Sequence, residues 1–276
     1  MIRLENLSIG MFDSGVGGLT VLKELKRLLP RENIIYLGDT ARVPYGNRSP
    51  ETITRYALES ALFLLTKGVK LLVIACNTSS AIAINILARK LPIPVIGVIE
   101  PGARGAVAAT KKKKIGVIGT KATIMSKAYE KSIKAIDPEI EVVSKPCPLF
   151  VPIVEEGLED DKVAHIMAHR YLKDLRESGI DTLVLGCTHY PVMEDVIKKT
   201  VGEHVQIINT GKETAKEVKT CLELKNILKN KGKGKCQYFV TDSPYMFKEI
   251  GERFLNIPVT PIRYIKSLDY KDFILR

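Results

Sequence analysis

Tryptophan is absent from this sequence, and histidine occurs only four times. Cysteine occurs five times, an odd number, and no two cysteines form a C-x-x-C pair. That pattern suggests neither a zinc ribbon nor a disulfide scaffold. No apolar run approaches the roughly 18 residues that a membrane helix needs. The residues before Asp13 lack the charged-then-apolar order of a secretory signal. These absences point to a cytoplasmic protein that does not enter the membrane.

Positive charge is present in excess: the formal net charge is +11. Lysines cluster at Lys111 to Lys114 and again from Lys229 to Lys235. Such runs can contact nucleic acid. Here, however, they fall in expected loops, without interleaved aromatics, zinc-finger spacing or an RNA-recognition signature. A solvated lysine surface is the better reading, because lysine is almost always exposed. The charge can still draw acidic small molecules toward a cleft. With 276 residues, 45% of them apolar, the chain can form two domains around a sizeable core.

The most informative stretch is Thr182-Leu183-Val184-Leu185-Gly186-Cys187-Thr188-His189-Tyr190-Pro191. A β-branched apolar run ends in glycine, then cysteine, hydroxyl and imidazole. Proline at 191 suits the first turn of a helix. Cys187 should therefore sit where a buried strand yields to a helix N-terminus, a setting that favours thiolate. The arrangement occurs twice. Gly68 to Cys76 reads against Gly179 to Cys187, both glycines and both cysteines standing 111 residues apart. Apolar residues at helical spacing precede each strand: Ile53, Ala57, Ala61 and Leu64 in one, Val163, Met167, Tyr171 and Leu175 in the other. This is an internal duplication with one cysteine per half. Two buried structural cysteines would satisfy the same pattern. Cys147, Cys221 and Cys236 share no repeated context and are read as structural or incidental.

A first strand over Leu7 to Phe12 leads into Asp13-Ser14-Gly15-Val16-Gly17-Gly18-Leu19-Thr20 and a helix. The glycine spacing is neither a dinucleotide fingerprint nor a phosphate loop. Glycines and free N–H groups at a helix start suit a simpler anion such as a carboxylate. Asp13 is open to three readings: base, hydrogen-bond partner or helix cap. Gly38 to Arg48 is a long polar loop, and loops of this length are often functional. Ser49-Pro50-Glu51 starts the next helix. Glu100-Pro101-Gly102 reads as a crossing into a second domain, followed by a helix. Ile115 to Thr120 repeats Ile9 to Ser14 without the aspartate. Cys147 to Gly157 reads as irregular and proline-punctuated; its Glu155 and Glu156 either reach a site or face water. Strands near Val205 to Asn209, Gln237 to Thr241 and Pro258 to Arg263, with helices from about Gly211 and Pro244, complete the chain. The fold class is α/β, with two pseudosymmetric domains, parallel-type sheets and a site in the cleft between them.

Two facing bases suit removal of a proton from one face of a carbon and its return to the other, which is racemisation. Neither cysteine has a metal-ligand partner at diagnostic spacing, and a hydrolase would have no use for the second one. Asp13 is positioned to assist Cys76, and His189 to assist Cys187. His165, His169 and His204 receive no role.

Asp-Ser-Gly-Val-Gly-Gly at 13–18, Pro-Tyr-Gly at 44–46, Ala-Cys-Asn-Thr at 75–78, Gly-Thr-Lys-Ala-Thr at 119–123 and Gly-Cys-Thr-His-Tyr-Pro at 186–191 together resemble the motif set of the glutamate racemases. The resemblance implies a cofactor-independent enzyme that interconverts L- and D-glutamate for peptidoglycan. It implies Cys76 and Cys187 as the acid/base pair, supported by Asp13, His189 and Glu155. Ser14, Tyr45, Gly46, Asn77, Thr78, Thr120, Thr123 and Thr188, with Asp13 and His189, would hold the substrate. It further implies a homodimer, and a first domain of 1–99 plus 210–276 around a second of 100–209. Ser79-Ser80 departs from the alanine or threonine common there, and the family does not predict the basic charge. Racemisation of aspartate or another amino acid on the same fold, and a basic nucleic-acid-binding protein on a racemase-like scaffold, are the competing readings.

Overall fold

A computed structural model of the chain describes residues 4–268. Its elements in order are β1 (Ser8–Asp13), α1 (Leu19–Leu28), β2 (Ile34–Gly38), α2 (Pro50–Thr66), β3 (Val69–Ile74), α3 (Asn77–Lys90) and β4 (Val95–Gly97). Then come α4 (Ile99–Ala109), β5 (Lys114–Gly119), α5 (Lys121–Met125), α6 (Ala128–Ile136), β6 (Glu141–Pro146), α7 (Phe150–Glu155), α8 (Lys162–Glu177) and β7 (Thr182–Gly186). The chain closes with α9 (Glu194–Val201), β8 (Gln206–Asn209), α10 (Thr210–Leu224), β9 (Cys236–Val240), α11 (Pro244–Leu255) and β10 (Ile262–Tyr264).

Two parallel sheets result. One has the order β10-β9-β2-β1-β3-β4 and the other β6-β5-β7-β8. Replacing β1, β2, β3 and β4 by β5, β6, β7 and β8 turns the order β2-β1-β3-β4 into the second sheet. The duplication read from the two cysteines is therefore a duplication of topology. Central strands β1, β3 and β7 are buried along almost their whole length, because helices cover both sheet faces. One apolar cluster joins the halves, including Leu22 and Leu25 of α1, Val218 and Leu222 of α10, and Leu172 and Leu183 beyond them.

Local chemistry sets many boundaries. Ser49 caps α2 by accepting from Thr52 N at 3.3 Å, with Pro50 in the first turn. Thr120 caps α5 by accepting from Thr123 N at 3.3 Å. Gly68 and Gly179, the paired stops, have φ of +69° and +79°. These left-handed conformations let α2 and α8 end and turn into β3 and β7 at little steric cost.

Two expectations need correction. Glu100-Pro101-Gly102 does not stand ahead of a helix; it lies inside α4. The segment 147–157 is not wholly irregular, since Phe150–Glu155 is helical. Pro101 and Pro152 each occupy a first turn, where the missing N–H would have had no intrahelical acceptor. Strand β6, which the reading of the chain did not assign, is the repeat counterpart of β2. The lysine run at 111–114 is also less free than its sequence implies: Lys111 N and Lys112 N donate to Asp181, while Lys113 pairs with Asp137 and Glu139, and Lys114 with Glu141.

Candidate active site

The C-terminal ends of strands from both sheets converge on one cavity of about 400 Å³. This is where open parallel sheets hold ligands, and the volume suits a small molecule. β1 delivers Ser14, β3 delivers Cys76, Asn77 and Thr78, β5 delivers Thr120, and β7 delivers Cys187, Thr188 and His189. The 44–47 loop brings Tyr45 and Gly46, and α7 brings Glu155. Thirteen positions were anticipated; all but Asp13 and Thr123 line the cavity. Those two are buried directly behind it.

The cysteines are each 6% exposed, buried but open to the cavity. Cys76 is the N-cap residue of α3, as its spacing predicts. Cys187 opens instead on a short 3-10 turn over Tyr190–Met193, with Pro191 in its first turn, ahead of α9. Their surroundings differ. The Cys76 thiol donates toward Ser14 Oγ at 3.7 Å. Burial, and then the Asp13 charge, push Cys76 up to about 11, against hydrogen bonds with Ser79 and Ser14. The expected thiolate preference of a helix N-terminus is thus outweighed at Cys76, which carries its proton at neutral pH.

Cys187 Sγ lies 3.8 Å from His189 Nδ1, and His189 Nε2 lies 2.8 Å from Glu155 Oε1. Burial works against a charged imidazole, but hydrogen bonds to Cys187 and Glu155, and their charges, hold His189 up to about 10. His189 is therefore an imidazolium at neutral pH, donating from both nitrogens. The sequence left Glu155 and Glu156 unresolved; Glu155 is the one that reaches in, while Glu156 ends the helix as its C-cap residue. Asp13 is fully buried, and its carboxyl is raised chiefly by that burial. Oδ2 accepts from Gly15 N at 3.0 Å, whereas Oδ1 has no hydrogen-bond partner among the described residues. Asp13 does not cap α1, whose N-cap is Gly18. It sits behind Ser14 and Cys76 as a hydrogen-bond acceptor.

Three hydroxyls from the two halves meet. Thr78 Oγ1 is 3.0 Å from Thr120 Oγ1 and 3.2 Å from Thr123 Oγ1, which are 3.0 Å from each other. Beside them Asn77 Oδ1 accepts from Tyr129 OH at 2.6 Å, leaving Asn77 Nδ2 buried without a partner among the described residues. That free amide donor, among hydroxyls, fits a carboxylate guest. Among the described residues no group of three or more His, Cys, Asp and Glu side chains is arranged to hold a metal.

Sequence reasoning missed part of the wall. Pro148, Leu149, Val151 and Pro152 line the cavity; the spacing of Phe150, Ile153 and Val154 carried the helical signal. It also missed the brace behind the 44–47 loop. The Tyr45 hydroxyl donates to Asp39, which also accepts from Arg42 Nε at 2.7 Å and from Thr241 Oγ1 at 3.0 Å. Arg42 reaches on to Glu59. The Tyr45 hydroxyl proton is thus committed to Asp39. Nothing in the local sequence pairs Asp39 with Thr241, which is contributed by a distant segment.

The family model for Asp/Glu/hydantoin racemases matches residues 9–218. A glutamate racemase of Geobacter metallireducens is 57% identical over 90% of this chain and 92% of its own length. Among solved structures, a glutamate racemase of Bacillus anthracis superposes with a TM-score of 0.92 at 45% identity, covering 95% of this chain and 98% of that one. A Francisella tularensis glutamate racemase in complex with D-glutamate gives 0.91 at 40% identity, covering 96% and 99%. On fold, site and likeness together, the chain belongs to the Asp/Glu/hydantoin racemase family and stands among its glutamate racemases.

Proposed function

We propose that this chain interconverts L- and D-glutamate by a two-base mechanism without a cofactor, with Cys76 and Cys187 on opposite sides of the substrate. One observation carries the reading: each half contributes one cysteine to a single cavity, and each cysteine stands beside its own polar helper. The thiolate of one cysteine takes the α-proton. The electron pair left on the α-carbon spreads into the adjoining carboxyl group. The thiol of the other cysteine then delivers its proton to the opposite face, and the two sulfurs have exchanged protonation states. Cys76, raised to about 11, is suited to the donor part when Cys187 takes the proton. His189, protonated and joined to Glu155, holds a proton next to Cys187. Asp13 acts on Cys76 through its charge, with Ser14 Oγ the group in hydrogen-bond reach of that sulfur.

Ser14, Asn77, Thr78, Thr120 and Thr188, with the backbone around Tyr45 and Gly46, hold the substrate's charged ends. Thr123 keeps Thr78 and Thr120 in place. The D-glutamate in the Francisella tularensis relative supports glutamate as the substrate. On this reading the product serves peptidoglycan synthesis in the cytoplasm, the working form is a homodimer, and nucleic acid is not a partner. Among the described residues, no helix is long and apolar enough to cross a membrane. The division into 1–99 plus 210–276 and 100–209 belongs to the same proposal, supported by the return of β9 and β10 to pair beside β2.

The test is proton NMR of the purified protein in deuterated water, with L-glutamate in one sample and L-aspartate in another, and no cofactor added. Loss of the α-proton signal with formation of D-glutamate is the expected result. Exchange on aspartate alone would move the assignment to an aspartate racemase. No exchange on either would sink the racemase reading for these substrates.

A further inference from the structure

Helix α11 belongs to the part of the chain that returns to the first sheet, yet its last turn grips the acid/base set of the second half. A terminal nitrogen of Arg253 donates to the carbonyl of Val154 and, at 3.0 Å, to that of Glu155. These carbonyls close α7, where a helix has no donors of its own for its last C=O groups. One guanidinium nitrogen serves both carbonyls, adding to the Gly157 N–H that Val154 O already accepts at 3.2 Å. Its Nε faces Glu159 Oε1 at 3.7 Å. Gly157 makes the approach possible: its φ is +73°, and a Cβ there would stand 2.8 Å from Arg253 Nη1.

The neighbouring residue braces the same place. The Phe254 ring meets the His189 ring edge-on, with centroids 6.1 Å apart and planes at 89°. The Phe254 carbonyl accepts from Lys23 Nζ at 3.2 Å, tying the end of α11 to α1. Arg253 thus fixes the helix end that carries Glu155, Glu155 fixes His189 Nε2, and His189 Nδ1 faces the Cys187 sulfur.

We infer that Arg253 is a positioning residue for proton transfer at Cys187, acting through the Glu155 helix and His189 and leaving Cys76 untouched. The inference rests on the racemase reading, and its effect is one-sided. In a two-base reaction, slowing transfer at one sulfur makes that step more rate-limiting. The deuterium isotope effect on kcat/KM then rises for the enantiomer that Cys187 deprotonates and falls for the one that Cys76 deprotonates. A general loss of packing moves neither.

The experiment compares wild type, Arg253→Met and Arg253→Lys with L- and D-glutamate carrying protium or deuterium at the α-carbon. Arg253→Met is expected to lower kcat/KM by about tenfold or more, the scale of a small misplacement at a reacting centre. Its two isotope effects should diverge in opposite directions, and Arg253→Lys should recover part of both changes. Isotope effects equal to those of wild type, whatever the rate, would overturn the inference. If Arg253→Met does not fold, Arg253→Lys carries the same comparison with smaller changes. A second reading needs no turnover: the imidazole NMR signals of the resting protein. The His189 signals, assigned through His189→Asn, should move in the variant while those of His165, His169 and His204 stay. Unmoved His189 signals would overturn the inference even if the protein racemised neither enantiomer, an outcome that would separately remove the racemase reading.

Discussion

Gly17 and His189 lie 172 residues apart in the chain and fit against each other so closely that no side chain can come between them. A Cβ on Gly17 would stand 2.5 Å from His189 Cε1 and 2.4 Å from Thr188 Oγ1. The nearby Thr20 hydroxyl donates to the Thr188 carbonyl at 2.7 Å, pinning the same junction. The glycine-rich turn of the first half is thus moulded onto the cysteine-threonine-histidine turn of the second.

Gly17→Ala should therefore displace His189 rather than merely stiffen a loop. Overpacking of this kind costs about 1–3 kcal/mol. The expected result is a lowered urea midpoint together with a loss of kcat/KM of about 10²-fold, the scale of a displaced catalytic group. Wild-type kinetics in the variant would show that His189 tolerates the shift.

Cys76→Ser and Cys187→Ser should each lower racemisation by at least about 10³-fold, since a serine hydroxyl is a far poorer base than a thiolate. Polarimetry from either enantiomer measures it. A variant that kept near wild-type turnover in both directions would break the two-base assignment.

Asp13→Asn should separate stability from activity. Burial raises the Asp13 carboxyl, so its contribution to stability is lost as pH rises through the folded-state value, and ionising the buried group counts against the fold. The amide removes that charge and can keep the bond from Gly15 N. Urea unfolding at neutral pH is expected to show a midpoint at or above that of wild type. Racemisation should fall by about 10²-fold, the scale of a lost acid/base helper. A midpoint well below wild type would contradict the sign given to the burial effect.

His189 gives the opposite kind of pH signature. Its folded value of about 10 lies above the ordinary 6.5. A raised value in a basic group stabilises fully below the unfolded pKa, and that stability is lost as pH climbs through the folded one. The urea midpoint of wild type minus that of His189→Gln should therefore shrink steadily between pH 6.5 and pH 10. A difference that stays constant across this window would mean that His189 is not held charged by Cys187 and Glu155.

The sequence by itself determined a good deal, because the decisive signals were local. Two apolar runs ending in cysteine, each preceded by an amphipathic helix and a glycine stop, required two buried parallel strands with a reactive side chain at each end. Ser49-Pro50 marked a helix start through a hydrogen bond made within three residues. What misled was punctuation: Pro101 and Pro152 read as breaks, though a proline in a first turn costs a helix no bond it would have made. Tertiary structure alone decided how the two ends of the chain meet. Asp39 finds Thr241, Gly17 makes room for His189, and Arg253 holds the carbonyl of Glu155. It also set the protonation of the pair, since burial, which no spacing records, keeps the proton on Cys76, while two neighbours overcome burial at His189. Periodicity fixes which face of an element is apolar, but desolvation and close approach depend on what the rest of the chain packs against that face.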